Sequence, residues 1–279
     1  MSYTTGHMER DASLPVQREV LLHNALEDLA ADADVLAIYL SGSLAKQNDD
    51  NYSDIDLHTI VQAEKRSGFI ENKRKRAKMW GEVLFYEDAH PLSPAVVTHY
   101  DCFVKVDSWY HALEEIQPSI WLKGAIVLYD PNDLINPVVK SSSAISYELL
   151  SKDVELWKGK LLAFVHETYR AVMREEVYYA EANLDRIRWL IVSGWFMEMD
   201  QHFDASPGSW SKVEGKRSLL TKGQHSMLKQ WQCGKEAGEI MRILTSMVPE
   251  ILRLNLILCR KVGVEANEEQ FKKILAMVF

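Results

Sequence analysis

The chain has 279 residues, 47% hydrophobic and 26% charged, which suits two modest soluble domains or one large one with a real core. Its 32 Lys and Arg stand against 40 Asp and Glu, and the net charge of −8 argues against a general nucleic-acid binder, whose surface carries a basic field. No apolar run is long enough to cross a bilayer and no apolar leader reads at the N-terminus; the three scattered cysteines (Cys102, Cys233, Cys259), without a Cys-x-x-Cys, read as reduced thiols of a cytoplasmic protein.

The first eight residues read as an unstructured lead-in. Pro15 near its start and Val20, Leu21, Ala25 and Leu29 at helical spacing predict a helix over 15–31. Ile38 to Leu40 begins a strand that runs into Gly42-Ser43, and a second apolar run opens at Asp54-Ile55-Asp56-Leu57 and reaches Val61. Residues 63–80 look helical and carry Lys73, Arg74, Lys75, Arg76 and Lys78, a basic run that reads first as a solvated face and second as a contact for nucleotide phosphates. Residues 82–87 fit a strand, and 96–106 fit one long strand with Asp101 in its middle. A short helix over 108–116, ended by Pro118, and a last strand with its turn at 126–131 complete the first half.

After Pro137 the character changes. No proline occurs between Val138 and Ser206, and apolar residues recur at helical intervals (Leu150, Val154, Trp157, Leu161, Val165; Ile187, Leu190). A third such set runs from Ile240 to Leu258, with Pro249 expected to kink or split its helix. Residues 203–217, rich in Ser, Gly and Pro, read as a connection, and the aromatic residues of this half read mainly as core. The expectation is therefore an α+β chain, a mixed sheet with flanking helices in residues 1–138 followed by a helical bundle in 139–279.

The chemistry concentrates in residues 38–61. Side chains two apart on a strand share a face, so Asp54 and Asp56 point the same way. With no base between them they repel one another and call for a hard divalent ion that binds oxygen, such as Mg2+. Gly42 lets the backbone turn sharply and approach a ligand closely, and Ser43 offers a hydroxyl and an N–H suited to phosphate. Metal-binding carboxylates opposite a phosphate-cradling turn form the apparatus of phosphoryl or nucleotidyl transfer.

The ordered combination Gly42-Ser43 … Ser53-Asp54-Ile55-Asp56, flanked by apolar strands, resembles the nucleotidyltransferase superfamily with the DNA-polymerase-β-like fold, and within it the bacterial antibiotic (aminoglycoside and lincosamide) nucleotidyltransferases. The resemblance implies the polymerase-β-like sheet and a C-terminal helical domain that holds the acceptor. It implies Mg2+ at Asp54 and Asp56, an NTP co-substrate, and transfer of AMP from ATP onto a hydroxyl of a small molecule. Gly42 and Ser43 would cradle phosphates, with Ser53 assisting. Lys46 stands where many relatives carry Arg and would neutralise phosphate as a point charge.

Relatives carry a third carboxylate on a neighbouring strand, and Asp101, in an apolar-Asp-apolar pattern, matches it as metal ligand, general base or both. Asp107 is the competitor, with a helix-capping role the more natural for it. His58 shares the face of Asp54 and Asp56, His99 that of Asp101, and both read as satisfied histidines. Relatives often hold cationic antibiotics with acidic side chains, for which Glu175, Glu176, Glu181 and Asp185 qualify. Two rivals remain on sequence: transfer to a protein or an RNA end, and a non-catalytic regulatory protein of the same fold. The assembly is open, a homodimer among the options.

Overall fold

A computed structural model describes residues 5–87 and 90–279. The chain divides into two compact units, 1–146 and 147–279. All six strands among the described residues lie in the first unit, between positions 35 and 129.

In that unit α1 (Met8–Ala30) leads into β1 (Val35–Leu40), the short α2 (Gly42–Ala45) and β2 (Ile55–Val61). There follow α3 (Arg66–Trp80), β3 (Val83–Tyr86), β4 (Ala95–Tyr100), β5 (Lys105–Ala112), β6 (Ile126–Tyr129) and α4 (Asn136–Ser143). The sheet order is β3-β4-β5-β2-β1-β6. Only β2 and β5 run parallel among its pairs; the others are antiparallel, so the sheet is mixed as expected.

Alternation along the strands divides the sheet's faces. One face (Ile38, Leu40, Ile55, Leu57, Val106, Tyr110) packs against Leu14, Leu21, Ala25 and Leu29 of α1 and Phe69, Ile70, Ala77 and Trp80 of α3. On the other face Ala37, Tyr39 and Ile60 form a smaller cluster with Ile116, Leu122 and Ile135, which Val138 and Val139 of α4 complete. The Asp130 carboxylate accepts the N–H groups of Leu134, Ile135 and Asn136 at 2.8, 2.9 and 3.0 Å and so opens α4. These contacts keep α4 with the sheet, so the break falls after residue 146 and not after 138.

Three local expectations need correction. The helix placed at 15–31 begins at Met8 and continues through Pro15, which forfeits one backbone bond without ending it. The basic run of α3 is not simply a solvated face. Lys73 is buried and donates to the carbonyls of His90 and Ser93, while Arg76 pairs with Asp28 and Asp32.

The third correction bears on function. The long strand at 96–106 is a hairpin, and the helix at 108–116 is largely strand. The Phe103 N–H donates to the Tyr100 carbonyl at 2.9 Å and the Tyr100 N–H to the Val104 carbonyl at 3.0 Å, closing a turn in which Phe103 takes a φ of 68°. Residues 105–112 then alternate half-buried or exposed with buried, the pattern of a strand.

The second unit is helical: α5 (Ser151–Met173), α6 (Val177–Glu198), α7 (Lys222–Gln230), α8 (Ala237–Lys261) and α9 (Glu268–Leu275). Its core joins Trp157, Leu161 and Val165 of α5 to Ile187, Ile191 and Trp195 of α6 and Leu244, Met247 and Leu254 of α8. Pro249 lies inside an uninterrupted α8. Trp157, Trp195 and Trp231 are core as expected, whereas Tyr178 is exposed beneath the Lys235 ammonium. No helix among the described residues is long and apolar enough to cross a membrane.

Candidate active site

The site is built where β1, β2 and β5 lie side by side. β1 delivers Ser41 and Gly42. The Ser41 N–H donates to the Asp56 carbonyl at 3.1 Å, which ties the turn to the start of β2. Gly42 has φ +67°, and a Cβ placed there would stand 1.8 Å from Asp56 Oδ2. Glycine is required twice over, by the left-handed backbone and by the carboxylate against its Cα. The close approach expected of Gly42 is thus made by the protein's own Asp56. Ser43 follows inside α2 and is buried; Lys46, half-buried, ends that turn with its N–H on the Gly42 carbonyl at 3.2 Å.

The loop before β2 is held from α1. Arg18 is buried, its side chain 9% exposed; Nη1 donates to the carbonyls of Asp50 and Ser53 at 2.9 and 3.1 Å, and Nη2 to Asp49 Oδ2 at 2.8 Å. The Ser53 hydroxyl is engaged within the same loop, accepting the Asp50 N–H at 2.9 Å. Ser53 and Arg18 therefore set the position from which Asp54 projects.

Asp56 pairs with Asp107 in the parallel β2/β5 register. Each of Asp54, Asp56 and Asp107 places a carboxylate oxygen within 4.8 Å of the others, and all three are half-buried. Asp101 lies exposed in the β4–β5 turn, its N–H on the Glu82 carbonyl at 3.0 Å. The structure brings Asp107, not Asp101, to Asp54 and Asp56; the strand register read from sequence put the turn inside the strand.

Lys105, which the sequence reading passed over, lies among these acids, its Nζ 2.8 Å from Asp54 Oδ2 and 3.1 Å from Asp107 Oδ2. Burial works against its charge, but the hydrogen bond to Asp54 and the charges of Asp107 and Asp54 outweigh this and raise its pKa. Burial raises the pKa of Asp107 above its ordinary value, against the lowering influence of Lys105. Asp107 Oδ1 is buried without a hydrogen-bond partner among the described residues. A buried carboxylate oxygen left unsatisfied beside two further carboxylates fits a hard cation.

The same face continues into rings. His58 stacks on Tyr39 at 4.6 Å between centroids, its Nε2 meeting Ser41 Oγ at 2.9 Å and its Nδ1 meeting His111 Nε2 at 3.0 Å. Burial, and next the charge of His111, push the His58 pKa down to about 3, so the ring is neutral. His58 is the satisfied histidine expected; His99 pairs with Glu87 at 3.1 Å and stacks on Phe85. Of the acidic candidates in the second unit, Glu176, Glu181 and Asp185 face Arg174, Lys235 and Arg188 at 3.7, 3.9 and 3.6 Å.

A mixed sheet that sets a Gly-Ser turn against three carboxylates has the form of a nucleotidyltransferase. Comparison with known families bears this out. The streptomycin adenylyltransferase family model matches residues 17–278, and the chain belongs to that family; it is a nucleotidyltransferase enzyme. No curated protein matches the chain in sequence. Among solved structures, an aminoglycoside 6-adenyltransferase from Bacillus subtilis is similar at 12% identity and TM-score 0.42, over 94% of this chain and 98% of that one. A nucleotidyltransferase-like protein from Exiguobacterium sibiricum 255-15 is similar at 11% identity and TM-score 0.44, over 88% of this chain and 78% of that one.

Proposed function

We propose that the enzyme transfers a nucleoside monophosphate, AMP from ATP, onto a hydroxyl of a small cationic molecule of the aminoglycoside or lincosamide class. The observation that carries this reading is the convergence of Asp54, Asp56 and Asp107 beside the Gly42-Ser43 turn. Membership of the streptomycin adenylyltransferase family supports the class of acceptor, and a net charge of −8 favours a cationic small molecule over nucleic acid. Cys102, Cys233 and Cys259 are free thiols, in keeping with a cytoplasmic setting where NTP is at hand.

In the reaction the acceptor oxygen bonds to the α-phosphorus, the bond from that phosphorus to the bridging oxygen of the β-phosphate breaks, and pyrophosphate leaves. Asp54, Asp56 and Asp107 would hold Mg2+, which supplies charge neutralisation for the triphosphate and orientation of its α-phosphate. Gly42 and Ser43 would position the phosphates, with Lys46 as a further positive charge beside that turn. The role first given to Asp101 passes to Asp107. As the third carboxylate of the cluster it would also take the acceptor's hydroxyl proton as that oxygen bonds to phosphorus.

The test is pyrophosphate release with each NTP against a panel of aminoglycosides and lincosamides. Activity is expected with ATP and at least one of these acceptors. Asp107→Asn should then lose ~100-fold or more in rate, whereas Asp101→Asn should stay close to the parent. Silence across the whole panel, or loss confined to Asp101→Asn, would overturn the assignment.

A further inference from the structure

Lys105 contacts two of the three carboxylates that the proposed function gives to a divalent ion. An ammonium and a metal ion compete for the same oxygen lone pairs, and two positive charges a few ångströms apart repel strongly in a half-buried site. Lys105 is equipped to leave. It is the first residue of β5, directly after the turn, its side chain is one-third exposed, and its stem is flexible. The carboxylates need some cation in either state. Burial works against the negative charge of Asp107, and the nearby charges of Asp54 and Glu87 add to that.

We propose that Lys105 is a built-in counter-ion of the acidic triad, displaced by the divalent ion and transferred to the phosphate oxygens of the nucleotide that arrives with it. This rests on the nucleotidyl-transfer reading. A metal ion arriving alone must expel Lys105 into water. A metal ion arriving with a triphosphate offers that ammonium a new anion. Metal and nucleotide therefore bind with positive coupling, and the coupling runs through Lys105.

The experiment titrates Mn2+ into the full-length chain, read by the electron-spin resonance of the free ion, with and without an ATP analogue bearing a methylene bridge between the α- and β-phosphorus. The parent should bind Mn2+ weakly alone and about tenfold or more tightly with the analogue. Lys105→Met and Lys105→Gln should bind Mn2+ alone about tenfold or more tightly than the parent, and the analogue should add little. Both should melt at a lower temperature than the parent without metal and recover with Mn2+. Lys105→Arg, which keeps the charge, should behave as the parent. If all proteins bind Mn2+ with the analogue but the Met and Gln variants bind Mn2+ alone no better than the parent, the counter-ion role is wrong and the nucleotidyl-transfer reading stands. If none binds Mn2+ even with the analogue, both are overturned.

Discussion

Gly42→Ala is the sharpest probe of how the site is assembled. The new methyl would stand 1.8 Å from Asp56 Oδ2 and 2.7 Å from its Cγ, so the carboxylate must retreat by roughly 1.5 Å to reach ordinary carbon–oxygen contact. Holding alanine at a φ of +67° costs about 1–2 kcal/mol, and overpacking of this kind adds about 1–3 kcal/mol. The expected loss is then about 2–5 kcal/mol, read by urea denaturation. The two contributions separate in a cycle with Asp56→Ala, which removes the clashing atoms and leaves the backbone strain. In that background Gly42→Ala should destabilise by only about 1–2 kcal/mol. Pyrophosphate release by Gly42→Ala should fall ~100-fold, because misplacing a reacting group by about 1 Å is that costly. An equal stability loss in both backgrounds, or parental turnover by Gly42→Ala, would refute the contact as the reason for the glycine.

Arg18→Met should release the 49–53 loop and lose about 2–3 kcal/mol of stability, since the charged hydrogen bonds go and two carbonyls are left facing an apolar side chain. It should also lower kcat more than it raises KM for ATP, with Arg18→Lys partly rescuing; a stability loss without that split would make Arg18 merely structural. The pH dependence of stability offers a third check through His58, whose pKa lies at about 3 in the fold against 6.5 ordinarily. The unfolded chain binds that proton first as pH falls, so stability is full above pH 6.5 and is lost on the way towards 3. This amounts to about 2 kcal/mol between pH 7 and pH 5. His58→Gln should flatten the slope in urea denaturation, and an unchanged slope would show that the ring is not held neutral.

Much of the arrangement could be read from residues alone, and the reasons are local. Asp54 and Asp56 show their common face because a strand's period is two, and Gly42-Ser43 shows its turn because glycine between apolar strands has few other uses. The helical half is legible because Leu161, Leu244 and Leu254 recur at helical spacing on elements long enough to average out single exceptions. Arg18 was hidden because its neighbours Leu14, Leu21 and Ala25 advertise an apolar stripe, and a cation on that stripe looks like an interruption. It was also the available signal. A buried arginine at a core position must be reaching backbone or acid, and here it reaches the loop that carries Asp49, Asp50 and Ser53.

The third carboxylate was misassigned for a different reason. The turn between β4 and β5 contains neither glycine nor proline. Phe103 accepts a φ of 68°, a conformation that costs a residue with a Cβ about 1–2 kcal/mol, and its ring lies under the Arg10 guanidinium at 3.9 Å. Long-range packing thus supports a turn that no local propensity announces, and the run from Val96 to Val106 reads as one strand. Alternation gave no warning, because Asp101 and Asp107 both occupy odd positions and would share a face on any continuous strand. Only the reversal of the chain at 101–104 separates them. It sends Asp101 to the solvent, and it starts β5 at Lys105, so that the parallel pairing Asp56↔Asp107 carries one more carboxylate and its own ammonium to the same edge of the sheet. The hairpin that misled the register is also what assembles the site.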